Sequence, residues 1–171
     1  MSNAFNVDRA LEIMNRIMDT TKKREEKKEV QEEEKRLRKE GIRFVHDNRI
    51  PLVTRFFHGN WMVVFGADIL VDDDKLFVDW TWAACSPDDK FNLRKAKSLI
   101  GQRLLNRKNN NKVFRLETHD KGQKLSSIME AVVHQFHMVS LLDYPGIPDK
   151  LKKEMVKRFE DPDSRWQWES C

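Results

Sequence analysis

The period of the hydrophobic pattern changes twice in this chain, and those changes limit the folds open to it. From Val7 to Met18 the apolar residues recur every three or four positions, which is typical of an amphipathic helix. From Ile42 to Cys85 they alternate with polar residues, which is typical of strands with one buried face. After Cys85 the helical period returns. The sequence therefore predicts an α+β protein in which helices precede and follow a mostly antiparallel sheet of four or five strands.

The first 40 residues predict one long helix. Val7, Leu11, Met14 and Met18 share a helical face, whereas residues 22–40 carry nine basic and seven acidic side chains. Gly41 is expected to end this helix. We expect the first four turns of this helix to pack through that face and the rest to run through solvent, as an arm or a cap over the folded domain of residues 41–171. A homodimer through this helix is the alternative, although Val30 and Leu37 do not continue the register of the earlier apolar residues.

The alternating segment predicts a series of short strands joined by tight turns. The candidate strands are 42–46, 52–57, 61–65, 69–71, 76–85 and, later in the chain, 113–116, with Gly66 as a bulge or break. Turn residues at 58–60 and 72–74 separate the central strands as hairpins. Two amphipathic helices, 125–142 and one beginning after Pro148, complete the domain, followed by a tail that contains Trp166 and Trp168.

A basic helix is predicted directly after the aromatic strand 76–85. Ser86 is a suitable N-cap, Pro87 suits the first helical position, and Asp88 and Asp89 suit the first turn. Nine of the 32 basic residues of the chain, and none of its 28 acidic ones, lie between Lys90 and Leu116. Helical spacing places Lys90, Arg94, Lys97 and Lys108 in one row. The predicted anion-binding residues are Lys90, Arg94, Lys97, Arg103, Arg107, Lys108, Lys112 and Arg115.

Such a cluster is typical of proteins that bind nucleic acid, because several phosphates are neutralised together. An acidic protein surface is the alternative partner. Trp166 and Trp168 are candidate partner-binding residues, whereas Trp80 and Trp82 are expected in the core of the sheet.

Other chemistry has weaker support in the sequence. Glu130, His134 and His137 have helical spacing that can hold a divalent metal, but exposed polar surface is the commoner explanation. A metal-dependent nuclease would need converging carboxylates, and Asp79 and Asp88 are not singled out by their spacing. No catalytic residue and no cofactor is predicted. The two cysteines give no disulfide framework, and no apolar run is long enough to span a membrane, so we expect a cytoplasmic protein.

One run resembles a known group of sequences. Cys85-Ser86-Pro87-Asp88-Asp89-Lys90-Phe91, with the basic helix that ends Gly101-Gln102-Arg103-Leu104, resembles a run in small uncharacterised phage-encoded proteins. The resemblance implies a phage accessory protein that acts in the cytoplasm of a bacterial host, and it carries over no active-site residue. A nucleic-acid-binding accessory protein is therefore the first hypothesis. The alternatives are an inhibitor or adaptor that acts on a host factor, for example an anti-defence protein, and a metal-dependent nuclease.

Overall fold

A computed structural model describes residues 7–57, 60–72, 75–118, 122–141 and 147–160. It confirms the α+β class, with a long N-terminal helix, a four-stranded antiparallel sheet and two C-terminal helices. The elements are α1 (Val7–Asp47), β1 (Leu52–Phe56), β2 (Met62–Asp72), β3 (Lys75–Cys85), α2 (Leu93–Leu105), β4 (Phe114–Thr118), α3 (Leu125–Leu141) and α4 (Asp149–Glu160). A short 3₁₀ turn, Arg107–Asn109, follows α2.

The sheet is a simple meander in which sequential strands are neighbours, in the order β1-β2-β3-β4. The two long central strands pair along their whole length, from Met62 opposite Cys85 to Asp72 opposite Lys75. Gly66 lies within β2 and pairs with Leu52 and Thr81, so the predicted break at this residue is wrong. The outer strands are short and pair with only part of β2 and β3.

Each face of the sheet has its own hydrophobic core, because successive side chains of a strand point to opposite faces. On one face, Phe65, Trp80 and Trp82 pack with residues of α3 and α4, and Phe136 lies at the centre of this aromatic cluster. The smaller core on the other face contains Val64 with apolar residues from the end of α1 and from α2. The expectation that Trp80 and Trp82 are core residues is confirmed, since both are buried.

The end of α1 corrects two predictions. Gly41 does not end the helix, and residues 42–46 are helical rather than a strand. Tertiary packing explains the difference: Gly41 is buried and Val45 belongs to the smaller core, so this turn is held by contacts that its local pattern does not reveal. The helix ends six residues after Gly41, at Asp47, in a Schellman motif, in which Arg49 N–H donates to His46 O and Ile50 N–H donates to Val45 O. Arg49 adopts the left-handed conformation that this motif requires, with φ of 50°.

The chain divides into two compact units, Met1–Leu37 and Arg38–Cys171. In the first unit, every side chain described from Leu11 to Arg36 is exposed, so the expectation that the first turns pack through their apolar face is wrong for the side chains described there. The second unit contains the last turns of α1, the sheet and the other helices.

Candidate anion-binding surface

The start of α2 differs from the prediction and changes where the cations lie. The helix begins at Leu93, and its N-cap is Asn92, whose Oδ1 accepts a hydrogen bond of 3.0 Å from the backbone N–H of Lys95. Residues 86–89 form a separate turn, in which Asp89 N–H donates to Ser86 O. Ser86 is therefore not the helix cap, because its hydroxyl accepts from the N–H of Asp88 inside this turn. Lys90 consequently precedes the helix instead of lying on it.

The predicted row of cations is interrupted at Gly101. The backbone of α1 at Gly41 lies directly against Gly101, and a Cβ built on either glycine would overlap backbone atoms of the other helix. Ser98 Oγ also donates to the carbonyl oxygen of Arg38, at 3.2 Å. Because Lys97 and Lys108 lie on opposite sides of Gly101 along the row, the end of α1 separates them.

Four cations remain together at the start of α2, and we call them the α2 cation cluster: Lys90, Arg94, Lys95 and Lys97. The first three are exposed and Lys97 is half-buried. Within the described part of the chain, none of the four has a carboxylate within ion-pair distance. Lys95 was not among the predicted site residues, although it follows the true N-cap and is as exposed as Arg94. Lys108, exposed, and Lys112, half-buried, lie beyond the crossing and have no such carboxylate either.

Arg103 is a structural residue. Its Nη1 donates to the carbonyl oxygen of Trp82, and its guanidinium lies 5.8 Å from the centroid of the Trp82 ring. Strand β4 pairs with β3 only as far as Trp80, so the Trp82 carbonyl that accepts from Arg103 lies beyond the part of β3 that pairs with β4. Burial lowers the pKa of this guanidinium below its usual value. A cation committed in this way is not available to an external phosphate.

Arg107 and Arg115 are held by aspartates of the sheet. Asp68 and Asp79 lie directly opposite each other on β2 and β3, and both are buried. Arg107 Nη1 lies 2.5 Å from Asp68 Oδ2, and its Nε lies 3.5 Å from Asp79 Oδ2. Arg115 binds both oxygens of Asp79, at 2.6 and 2.9 Å, and its guanidinium lies 5.1 Å from the centroid of the Phe77 ring.

The formal charges of the two aspartates, Asp68 and Asp79, and the two arginines, Arg107 and Arg115, sum to zero. Two buried carboxylates facing each other need positive partners nearby, and the two arginines supply them. The hydrogen bond to Asp79 raises the pKa of the Arg115 guanidinium above its usual value. These ion pairs therefore tie the 3₁₀ turn after α2, and strand β4, to the central strands, and they withdraw Arg107 and Arg115 from the surface predicted to bind anions.

The weak metal prediction on α3 is not supported by the positions of its residues. His137 is buried against Phe57 and Phe136, and its Nδ1 lies 2.8 Å from Val133 O. Glu130 and His134 are exposed on a different side of the helix. The expectation that His137 projects away from the core is therefore wrong, because it lies on the helix face that Val133 also occupies. Among the residues that the structure describes, no group of three His, Cys, Asp or Glu side chains is arranged to hold a metal ion.

The tryptophans of the tail, Trp166 and Trp168, lie outside the described residues. In the described part of the chain, no helix combines the length and the apolar character that crossing a membrane demands. No protein-family model, curated protein or solved structure matches the chain.

Proposed function

We propose that this protein is a small non-enzymatic accessory protein, of the kind that phages encode, which binds nucleic acid in the cytoplasm of a bacterial host. One observation carries the proposal: the α2 cation cluster holds four positive side chains within eight residues, with no carboxylate paired to any of them in the described part of the chain. A surface that serves solubility alone usually mixes both signs of charge.

The geometry of the cluster suits a phosphate backbone. Arg94 and Lys97 are one helical turn apart, so they can reach neighbouring phosphates of one strand. The N-terminus of α2 lies at the same place and adds the partial positive charge of the helix dipole. Contacts to phosphates carry no sequence information, and we therefore expect binding with little sequence preference.

The test is fluorescence anisotropy with labelled single-stranded DNA, double-stranded DNA and RNA. Four phosphate contacts predict that the association constant falls roughly 100-fold between about 50 and about 200 mM salt. The double substitution Arg94→Glu with Lys97→Glu should weaken binding at both salt concentrations and reduce the slope of log K against log salt by about 2.

The matched control reverses two exposed lysines of α4, Lys150→Glu with Lys153→Glu, which changes the net charge by the same amount. If both double variants weaken binding equally, only net charge is being measured and the assignment to α2 is wrong. If the wild-type protein binds no nucleic acid, a pull-down from nuclease-treated bacterial lysate tests the acidic protein surface instead. Loss of oligonucleotide length in the presence of Mg²⁺ would favour the nuclease hypothesis.

A further inference from the structure

The first turns of α1 present an apolar face that nothing covers in the described part of the chain. Leu11, Ile13, Met14, Ile17 and Met18 are each between 51% and 65% exposed. Their spacing puts all five on one side of the helix, with Met14 near the middle. Contiguous exposed apolar surface of this kind marks an interaction site, because its burial removes it from water. We call these five residues the α1 apolar face.

The charges of α1 rule out a parallel pair of such helices in register. In a coiled coil, positions at multiples of seven residues continue the same face of the helix. After Ile17 these positions are Arg24 and Gln31, and after Met14 they are Thr21, Lys28 and Lys35. A parallel pair would therefore bring Arg24, Lys28 and Lys35 against their own copies, and like charges at a seam repel.

An antiparallel pair avoids that repulsion. Counted outwards from Met14, Leu11 corresponds to Ile17 and Glu12 corresponds to Arg16. Reversal therefore places an apolar residue level with an apolar residue in the contact, as a self-complementary two-fold contact requires, whereas Glu12 and Arg16 lie on the other side of each helix and face water. The two highly charged segments then run away from each other in opposite directions and stay in water.

The polar side of the same turns argues against a membrane surface as the occupant. Helices that lie on membranes carry mainly Lys and Arg on the polar side. Here Glu12 and Arg16 pair at 2.9 Å, and Asp19 adds a second acid in the next turn. Anionic lipid would gain little attraction from this mixture.

We propose that two copies of this protein associate through the α1 apolar face, with the two helices antiparallel. The contact covers only about two helical turns, so we expect a weak dimer with a Kd on the order of 10 μM. This inference does not depend on nucleic-acid binding.

Sedimentation equilibrium of the full-length protein between about 1 and about 200 μM measures the association. We expect a monomer–dimer equilibrium that Met14→Glu shifts at least about tenfold towards monomer, because it places two carboxylates in the contact. Asn15→Glu adds the same charge one residue away, on the polar side, and should change the Kd less than about threefold. Circular dichroism verifies that both variants keep the helix. A wild-type protein that stays monomeric throughout, or a dimer that Met14→Glu leaves intact, would overturn the proposal.

The distance between two Gln31 positions measures the orientation. Spin labels on Gln31→Cys, in a chain with Cys85→Ser and Cys171→Ser, report this distance by pulsed electron resonance. With 1.5 Å of rise per residue, antiparallel helices centred near Met14 place the labels about 50 Å apart. Parallel helices in register would place them about 10 Å apart, and that result would refute the antiparallel arrangement.

Discussion

Gly41 and Gly101 bring the backbones of α1 and α2 closer together than two residues with side chains would allow. Neither glycine is needed for a turn or a positive φ, since both lie inside helices. Their role is to leave space, because the next atoms across the contact are main-chain atoms that cannot rotate away. This contact fixes where α1 crosses α2, and therefore where the row of cations is divided.

Gly101→Ala should destabilise the folded state, against the usual effect of this substitution. In an exposed helix, Gly→Ala stabilises by up to about 1 kcal/mol. Here the new methyl group would overlap Gly41 O, and we expect a loss of about 2 kcal/mol or more in the free energy of unfolding measured with urea. Lys95→Ala, on the exposed side of α2, is the control and should change stability by less than about 0.5 kcal/mol. A Gly101→Ala protein as stable as the control would show that the helices do not touch here.

The partners of individual charged residues explain why the sequence predicted only part of the candidate site correctly. The excess of cations between Lys90 and Leu116 is visible in the sequence, but the partners of Arg107 and Arg115 are supplied by β2 and β3. The antiparallel pairing of β2 with β3, in which Asp72 lies opposite Lys75, brings Asp68 opposite Asp79. Charge counting along one segment cannot detect such a partner, since the distance in sequence is 28 residues or more.

At the scale of elements, most types were predicted correctly, except that residues 42–46 are helical rather than a strand, and the ends of the helices were not predicted. The meander follows from alternation and turn residues, and each of its hairpins has a legible signal. The start of α2 was misplaced because Ser86 and Asn92 are both good caps, and the sequence does not say which of them caps. The end of α1 was misplaced because the burial of Val45 is a tertiary effect.

Replacing each candidate N-cap residue by alanine distinguishes the two possible starts of α2. Asn92→Ala removes the acceptor for Lys95 N–H and should lower the free energy of unfolding by about 1 kcal/mol. Ser86→Ala touches only an exposed turn and should cost less than about 0.5 kcal/mol. Urea unfolding of the two variants, measured side by side, gives the comparison. The opposite order, with Ser86→Ala the more damaging change, would return the helix start to Ser86 and put Lys90 back on the helix.

At the scale of the whole molecule, α1 plays two roles along its length. From Leu11 to Arg36 its described side chains are all exposed, so this segment buries no side chain that could stabilise the domain. From Arg38 onwards the helix contributes Gly41, Val45 and the Schellman motif to the second unit. The sequence alone predicted a change of role near residue 40, but it placed the whole helix before that point.

Truncation at two points should therefore give opposite results. A chain that begins at Arg38 keeps Gly41 and Val45, the buried residues of α1 among those whose burial is described, and we expect its free energy of unfolding to lie within about 0.5 kcal/mol of the full-length value. A chain that begins at Asn48 loses Val45 and exposes Ala96, Ile100 and Leu104 of α2 to water, which should cost about 3 kcal/mol or more. Urea unfolding followed by tryptophan fluorescence measures both, since Trp80 and Trp82 are buried. If the chain beginning at Arg38 also unfolds readily, residues before it contribute to the stability of the domain, and the division of α1 at Leu37 is not a physical boundary.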